Sequence, residues 1–186
     1  MSRKLISTFF VSLDGVVEAP QDWHFPYFND EMTAAIGATM ASSDAMLCGR
    51  VTYQEWAGFW PDADNEMAAF MNETPKYVAS TTLDDVDWSN SHLLEADVPT
   101  AVAALKEQPG KDIVMSGSAT LARSLLREGL VDELRLMIHP LVVGQGARLF
   151  ENGDQQALAL ADSQTFDTGV VYATYRPAVR DEGDDR

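Results

Sequence analysis

The first two-thirds of the chain repeats one arrangement: a short apolar run, then small or hydroxyl-bearing residues, then a helical segment. Lys4–Ser12 is rich in β-branched and aromatic residues and reads as a strand. Ala45–Cys48, Tyr77–Ser80, Asp112–Ser116 and Glu133–His139 read the same way. Between them, Asn29 is placed to cap a helix to about Ser42, and Thr52–Phe59 and Asn65–Met71 form short helical segments. Pro99 opens a helix to Glu107, and Ser118 is placed to cap Ala119–Glu128, which Gly129 ends. Strands that alternate with helices return across a face of the sheet and pair in parallel. The end of the chain differs. Gln164–Phe166 and Val170–Arg176 flank a hairpin turn at Asp167–Gly169. The expected fold class is α/β, a three-layer α/β/α arrangement around a mainly parallel mixed sheet with a C-terminal antiparallel hairpin.

Composition narrows the partners. The 186 residues suit one domain, over residues 1–178, followed by an acidic tail at 179–186 expected to be disordered. A formal net charge of −16 argues against nucleic acid and anionic membranes, which both need a basic face. Cys48 is alone, and His24, His92 and His139 are scattered, so neither a disulfide nor a Cys/His metal cluster is expected. The acidic residues lack calcium-loop spacing. The N-terminus runs directly into a strand with Asp14 soon after, which reads as cytoplasmic.

In an open α/β sheet the ligand crevice lies beyond the carboxyl ends of the strands. Three strand ends carry matching chemistry. Gly49–Thr52 holds Arg50, the sole Lys or Arg between Lys4 and Lys76. Ser80, Thr81 and Thr82 place three hydroxyls in a row, and Ser116–Thr120 is a small-residue turn into a helix. Glycine admits a close approach, helix N-termini supply free N–H groups, and Arg supplies a forked cation. Together they point to a phosphate-bearing ligand. Neither a Gly-x-Gly-x-x-Gly fingerprint nor a Walker A loop is present.

The motifs Ser12–Gly15, Gly49–Tyr53, Ser80–Leu83, Gly117–Leu121, Gly129–Leu134 and Pro140–Phe150 follow one another over residues 4–177. In that order and spacing the chain resembles the dihydrofolate reductase-like family, in the branch of the riboflavin-biosynthesis reductase C-terminal domain. The resemblance implies NADPH. It implies that Arg50 meets the adenosine 2′-phosphate with help from Ser80 and Thr81, and that Gly49, Thr52 and the turn Gly117, Ser118, Ala119, Thr120 and Leu121 cradle the pyrophosphate. It places Asp14 and Gly15 beside the nicotinamide, with Asp14 the first choice of catalytic group. It also implies a homodimer.

The expected activity is hydride transfer to a small flat heterocyclic or carbonyl/imine substrate. The alternatives are a reductase of the 5-amino-6-(5-phosphoribosylamino)uracil type, or a nucleotide-binding module without turnover. Trp23 and Tyr27, in an aromatic loop, are candidate stacking surfaces, and Gly144 and Gly146 allow close approach on the substrate side. The proton donor is left open among Asp14, Asp30, His24, Tyr27 and water. Asp30 and Glu31 also suit a first helical turn. Trp56, Phe59 and Trp60 read as core or contact residues, and Cys48 as inert. A second phosphate would need a second cation, for which Arg148 is the candidate, so an uncharged or weakly charged substrate is expected.

Overall fold

The structure is a computed structural model that describes residues 2–178 except Ala96 and Asn152; the expected acidic tail at 179–186 lies outside the described residues. Its strands are β1 (Leu5–Ser12), β2 (Ser43–Gly49), β3 (Lys76–Ala79), β4 (Ser91–Leu93), β5 (Asp112–Ser116), β6 (Glu133–His139), β7 (Leu158–Thr165) and β8 (Val171–Pro177). The helices are α1 (Asp30–Ser42), α2 (Arg50–Ala57), α3 (Glu66–Glu73), α4 (Val98–Glu107) and α5 (Ala119–Arg127). The strands form one eight-stranded sheet in the order β4-β3-β2-β5-β1-β6-β8-β7. Pairing is parallel from β4 across to β6, and antiparallel from β6 to β8 and from β8 to β7.

Local chemistry accounts for the helix starts. Asn29, Asn65 and Asp97 each accept an N–H of the first turn with the side chain, at 3.0 to 3.2 Å. Each such cap stabilises its helix by roughly 1 kcal/mol. Ser118 departs from expectation. It has φ 60, and its hydroxyl makes no cap hydrogen bond within α5.

Strand alternation divides the core. Leu5, Ala45, Leu47, Ile113 and Met115 face α4 and α5, burying Val102, Leu105, Ala122, Leu125 and Leu126. The alternate residues Met46, Cys48, Val78 and Val114 pack against Tyr53 of α2 and Met71 of α3. Met137 and Phe10 on that same face meet Met32 and Ile36 of α1. Full burial of each such side chain is worth about 1.5–3 kcal/mol. The two covered faces give the expected three layers. Burial pushes the Cys48 thiol up to about 12, so it stays protonated as an inert core group.

A fully buried cation lies inside this core. Lys76 is fully buried, and its ammonium donates to the carbonyls of Met71, Asn72 and Thr74 at 2.8, 3.3 and 2.9 Å. It thereby closes the carboxyl end of α3, where a positive charge is favoured, and stands 4.2 Å from the ring centre of Trp88. Burial lowers its pKa to about 8, which leaves it charged at neutral pH.

Candidate functional site

The connection after β2 runs outward to β3, whereas the connection after β5 crosses β1 to reach β6. β2 and β5 are neighbours, so their carboxyl ends diverge and leave a crevice between them. Two of the expected turns meet there. Ser118 Oγ accepts the Gly49 N–H at 2.9 Å and donates to Thr52 Oγ1 at 2.8 Å. This clasp explains the left-handed Ser118. The hydroxyl that a cap would use is turned onto the neighbouring loop. Gly117 has φ +71, and a Cβ there would lie 3.6 Å from Thr52 Oγ1. A positive φ of that size favours glycine. Because the Gly49 N–H is already engaged, the donors left for an anion are the first-turn N–H groups of α2 and α5.

The crevice opens into a cavity of about 1100 Å³. Gly49, Arg50, Thr52, Ser80, Thr81, Gly117, Ser118, Ala119, Thr120 and Leu121 all line it. Arg50 is exposed, and its recorded hydrogen bond goes to the neutral Gln54 at 3.0 Å. Ser80 Oγ accepts the N–H groups of Thr82 and Leu83 at 3.1 and 3.0 Å, which fixes the hydroxyl turn. The cavity continues as a cleft over the sheet, between Ile36, Thr39 and Met40 of α1 and the α2–α3 side. Trp56 and Trp60 pack against the core beneath, as expected, and also wall that second side; Phe59 does not line the cleft and is 58% exposed.

The substrate-side expectations need more correction. Asp14 and Gly15 do not line the cavity. The Asp14 carboxylate accepts from Ser12 Oγ at 2.6 Å and from the N–H groups of Val143 and Gly144 at 3.0 and 2.9 Å. Those hydrogen bonds, the one from Ser12 first, hold its pKa at about 2. Such a carboxylate pins the β1 turn to the loop after β6, and it has no proton to give at neutral pH. Gly144 and Gly146 stand on that pinned loop outside the cavity. Gly146 packs against Val16 and Glu18, where a Cβ would fall 3.1 Å from Val16 Cγ1. Arg148 is tied to the same turn, donating from Nε to the Asp14 carbonyl at 3.0 Å, and does not reach the cleft.

Trp23 and Tyr27 also miss the cleft. Their rings stand edge-on to His139, with centroids 5.1 and 5.6 Å away. His24, between them in sequence, does line the cleft and stacks on Phe10 at 4.6 Å. Burial lowers its pKa to about 4, so its imidazole is neutral. Its Nδ1 is buried without a partner among the described residues. Asp30 lies outside the cleft. Glu31 accepts the Asp167 N–H at 2.7 Å and an Asn29 amide N–H at 3.0 Å, which holds the hairpin turn to α1.

Most of the cleft floor and far wall went unrecognised in the sequence, Thr39 and Arg135 among the polar residues. Register shows how the floor is built. Ser116, Thr8, Arg135 and Thr174 lie side by side on β5, β1, β6 and β8. Phe10, Met137 and Tyr172 form the adjoining row. The available signal was spacing: Glu133 and Arg135 are two apart on a strand, so they share a face with Met137. Among the described residues, no group of three or more His, Cys, Asp or Glu is arranged to hold a metal, and no helix is long and apolar enough to cross a membrane.

Comparisons with known proteins agree with this architecture. A family model described as the RibD C-terminal domain matches residues 3–172. The uncharacterized protein YyaP of Bacillus subtilis strain 168 is 33% identical over 184 residues, covering 93% of this chain and 94% of YyaP. A putative riboflavin biosynthesis protein from Shewanella sp. PV-4 superposes with a TM-score of 0.78 at 21% identity, over 96% of this chain and all of that one. Dihydrofolate reductase from Enterococcus faecalis, solved with NADP(H) and RAB-propyl, gives a TM-score of 0.65 at 13% identity, over 96% of this chain and 100% of that chain. The fold is therefore dihydrofolate reductase-like, as the motifs led one to expect. The matched span takes in both clasped turns and the strands beneath the cleft, and the chain belongs to the RibD C-terminal domain family.

Proposed function

We propose that the protein is an NADPH-dependent reductase acting on a small substrate held over the sheet between α1 and α2. The observation that carries this reading is Arg50, an exposed guanidinium with no acidic partner among the described residues, beside a hydroxyl turn at the mouth of the cleft. In a chain this acidic, an unneutralised cation on a ligand-sized cavity calls for an anion. The adenosine 2′-phosphate fits it, and the first turns of α2 and α5 suit the pyrophosphate. The family match and the solved relative that binds NADP(H) support the same cofactor.

Bound there, the cofactor supplies hydride. The residues of the chain hold and shield. Phe10, Met137 and Trp56 offer apolar surface for a flat ring and keep water from it. Of the side chains considered as proton donors, His24 is the one that lines the cleft. A neutral imidazole is a weak acid, so its part is to orient a water that carries the proton.

Titration of NADPH and NADH by fluorescence tests this reading. NADPH should bind about 10- to 150-fold more tightly, the worth of hydrogen bonds to a charged partner. Equal affinities would overturn the assignment. A second reading, a reductase of a phosphorylated ribosylaminopyrimidine, is favoured by the family match. Its expected phosphate anchor, Arg148, is bound to Asp14 outside the cleft. Turnover of that substrate by the parent protein and by Arg148→Ala decides it. Absence of NADPH oxidation with every carbonyl and imine substrate tried would favour the binding module without turnover.

A further inference from the structure

The cleft has a second cationic feature, away from the cofactor turns. Arg135 sits two strands from Ser116 in the same row, about 10 Å across the sheet. Its Nε and Nη2 donate to Glu133 Oε2 at 3.1 and 2.6 Å, and its Nη1 donates to Thr39 Oγ1 at 3.0 Å. A guanidinium carries one N–H on Nε and two on each terminal nitrogen. One donor on Nη1 and one on Nη2 are therefore left without a recorded partner among the described residues. Glu133 does not cancel the charge. It also takes Lys4 at 3.0 Å and Arg176 at 3.1 Å, so one carboxylate faces three cations, leaving a surplus of two positive charges. Glu133 is buried, and the Arg135 side chain keeps only 19% of its surface exposed while lining the cavity.

Building on the reductase reading, we propose that this end of the cleft is a carboxylate subsite: the substrate is a flat molecule bearing a carboxylate that sits on Nη1 and Nη2 of Arg135, beside Thr39 and Thr8. A carboxylate takes two parallel N–H donors from one guanidinium, and one donor on each terminal nitrogen is the number available here. Thr39 and Glu133 hold the guanidinium from two sides, so its orientation is set before the substrate arrives. A flat ring with one carboxylate lies at the charged end of the uncharged or weakly charged substrates expected from the sequence.

Isothermal titration of planar carboxylates, each beside its own carboxamide, tests the subsite: orotate with orotamide, nicotinate with nicotinamide, and pterin-6-carboxylate with its amide. A phosphate arm compares uridine 5′-monophosphate with uridine. All are run with and without saturating NADP⁺. At least one carboxylate should outbind its carboxamide by about tenfold or more. Arg135→Met should erase that difference while NADPH affinity stays unchanged. Thr39→Val, which removes the hydroxyl holding Nη1, should reduce the preference and serves if Arg135→Met does not fold. The proposal is overturned if no carboxylate is preferred, if the preference survives Arg135→Met, or if the phosphate arm shows the larger gain. A failure of NADPH to bind, with the carboxylate preference intact, would remove the reductase reading and leave the subsite standing.

Discussion

Two pairs of loops meet at the carboxyl edge of the sheet, and they use arginine in opposite ways. In the first, the turns after β2 and β5 clasp through neutral groups, Ser118 Oγ, Thr52 Oγ1 and the Gly49 N–H. No charge is spent on the clasp, and Arg50 remains beside it with only Gln54 recorded as partner. In the second, the turn after β1 and the loop after β6 clasp through Asp14, and Arg148 closes over that carboxylate with Nη2 3.8 Å away. There the carboxylate fastens the loops through backbone N–H groups, and the arginine is held beside its counter-charge. A charged side chain at a strand end is thus a candidate for ligand binding when its counter-charge is missing, and a structural tie when the counter-charge is in place. Sequence position does not distinguish the two; the partner does.

The contrast breaks most readily at Arg50. Arg50→Ala should weaken NADPH about 10- to 150-fold and leave NADH nearly unchanged, so the ratio of the two dissociation constants collapses. A smaller effect is expected from the clasp. Thr52→Val deletes the acceptor of the Ser118 hydroxyl, which costs about 1 kcal/mol and should loosen both cofactors alike by about fivefold. Equal loss for both cofactors is the signature of disturbed backbone rather than a lost phosphate contact. At the other pair of loops, Arg148→Ala should change NADPH affinity by less than about twofold, because an exposed ion pair carries little energy. A large loss there would erase the distinction between the two regions.

The charged ties also set a pH dependence. Asp14 is lowered from 3.8 to about 2, and Glu133, hydrogen-bonded by Arg135, Lys4 and Arg176 against the cost of its burial, from 4.5 to about 2. Between those values the unfolded chain binds more protons than the folded one. Stability from these groups is complete above about pH 4.5 and is lost as the pH falls towards 2. Chemical denaturation at stepped pH should show this decline, and Asp14→Asn should flatten part of it without altering NADPH affinity at neutral pH. A decline identical to that of the parent chain would mean that Asp14 holds nothing together.

Much of this was readable from residue order, and the exceptions have physical causes. Periodicity located the buried strands and the helices because each buries an apolar face. β4 escaped because Ser91–Leu93 is short and lacks an apolar run. Most of β7 escaped because Leu158–Thr165 is an edge strand whose residues are nearly all exposed. The turn residues around Arg50 were legible because small residues, hydroxyls and an isolated cation coincide at strand ends. Trp23, Tyr27, Gly144 and Gly146 fall outside the cavity lining, since aromatic and glycine content signals a tight loop without saying which way it faces. The hydrogen bonds of Asp14 were not legible for a related reason: a carboxylate after a strand looks the same whether it waits for a ligand or for two backbone N–H groups. Arg135 stayed hidden because a single charge inside an apolar strand carries no motif to mark it.

A crystal structure of the NADPH complex measures the placement of the cofactor directly. The 2′-phosphate should lie within hydrogen-bond distance of the Arg50 guanidinium and the Ser80–Thr82 turn. The pyrophosphate should rest against the first turns of α2 and α5, and the nicotinamide should enter the cleft over Thr8 and Phe10. Electron density that puts the phosphates at the Asp14–Arg148 clasp, or that leaves Arg50 bonded only to Gln54 with cofactor bound, would contradict it.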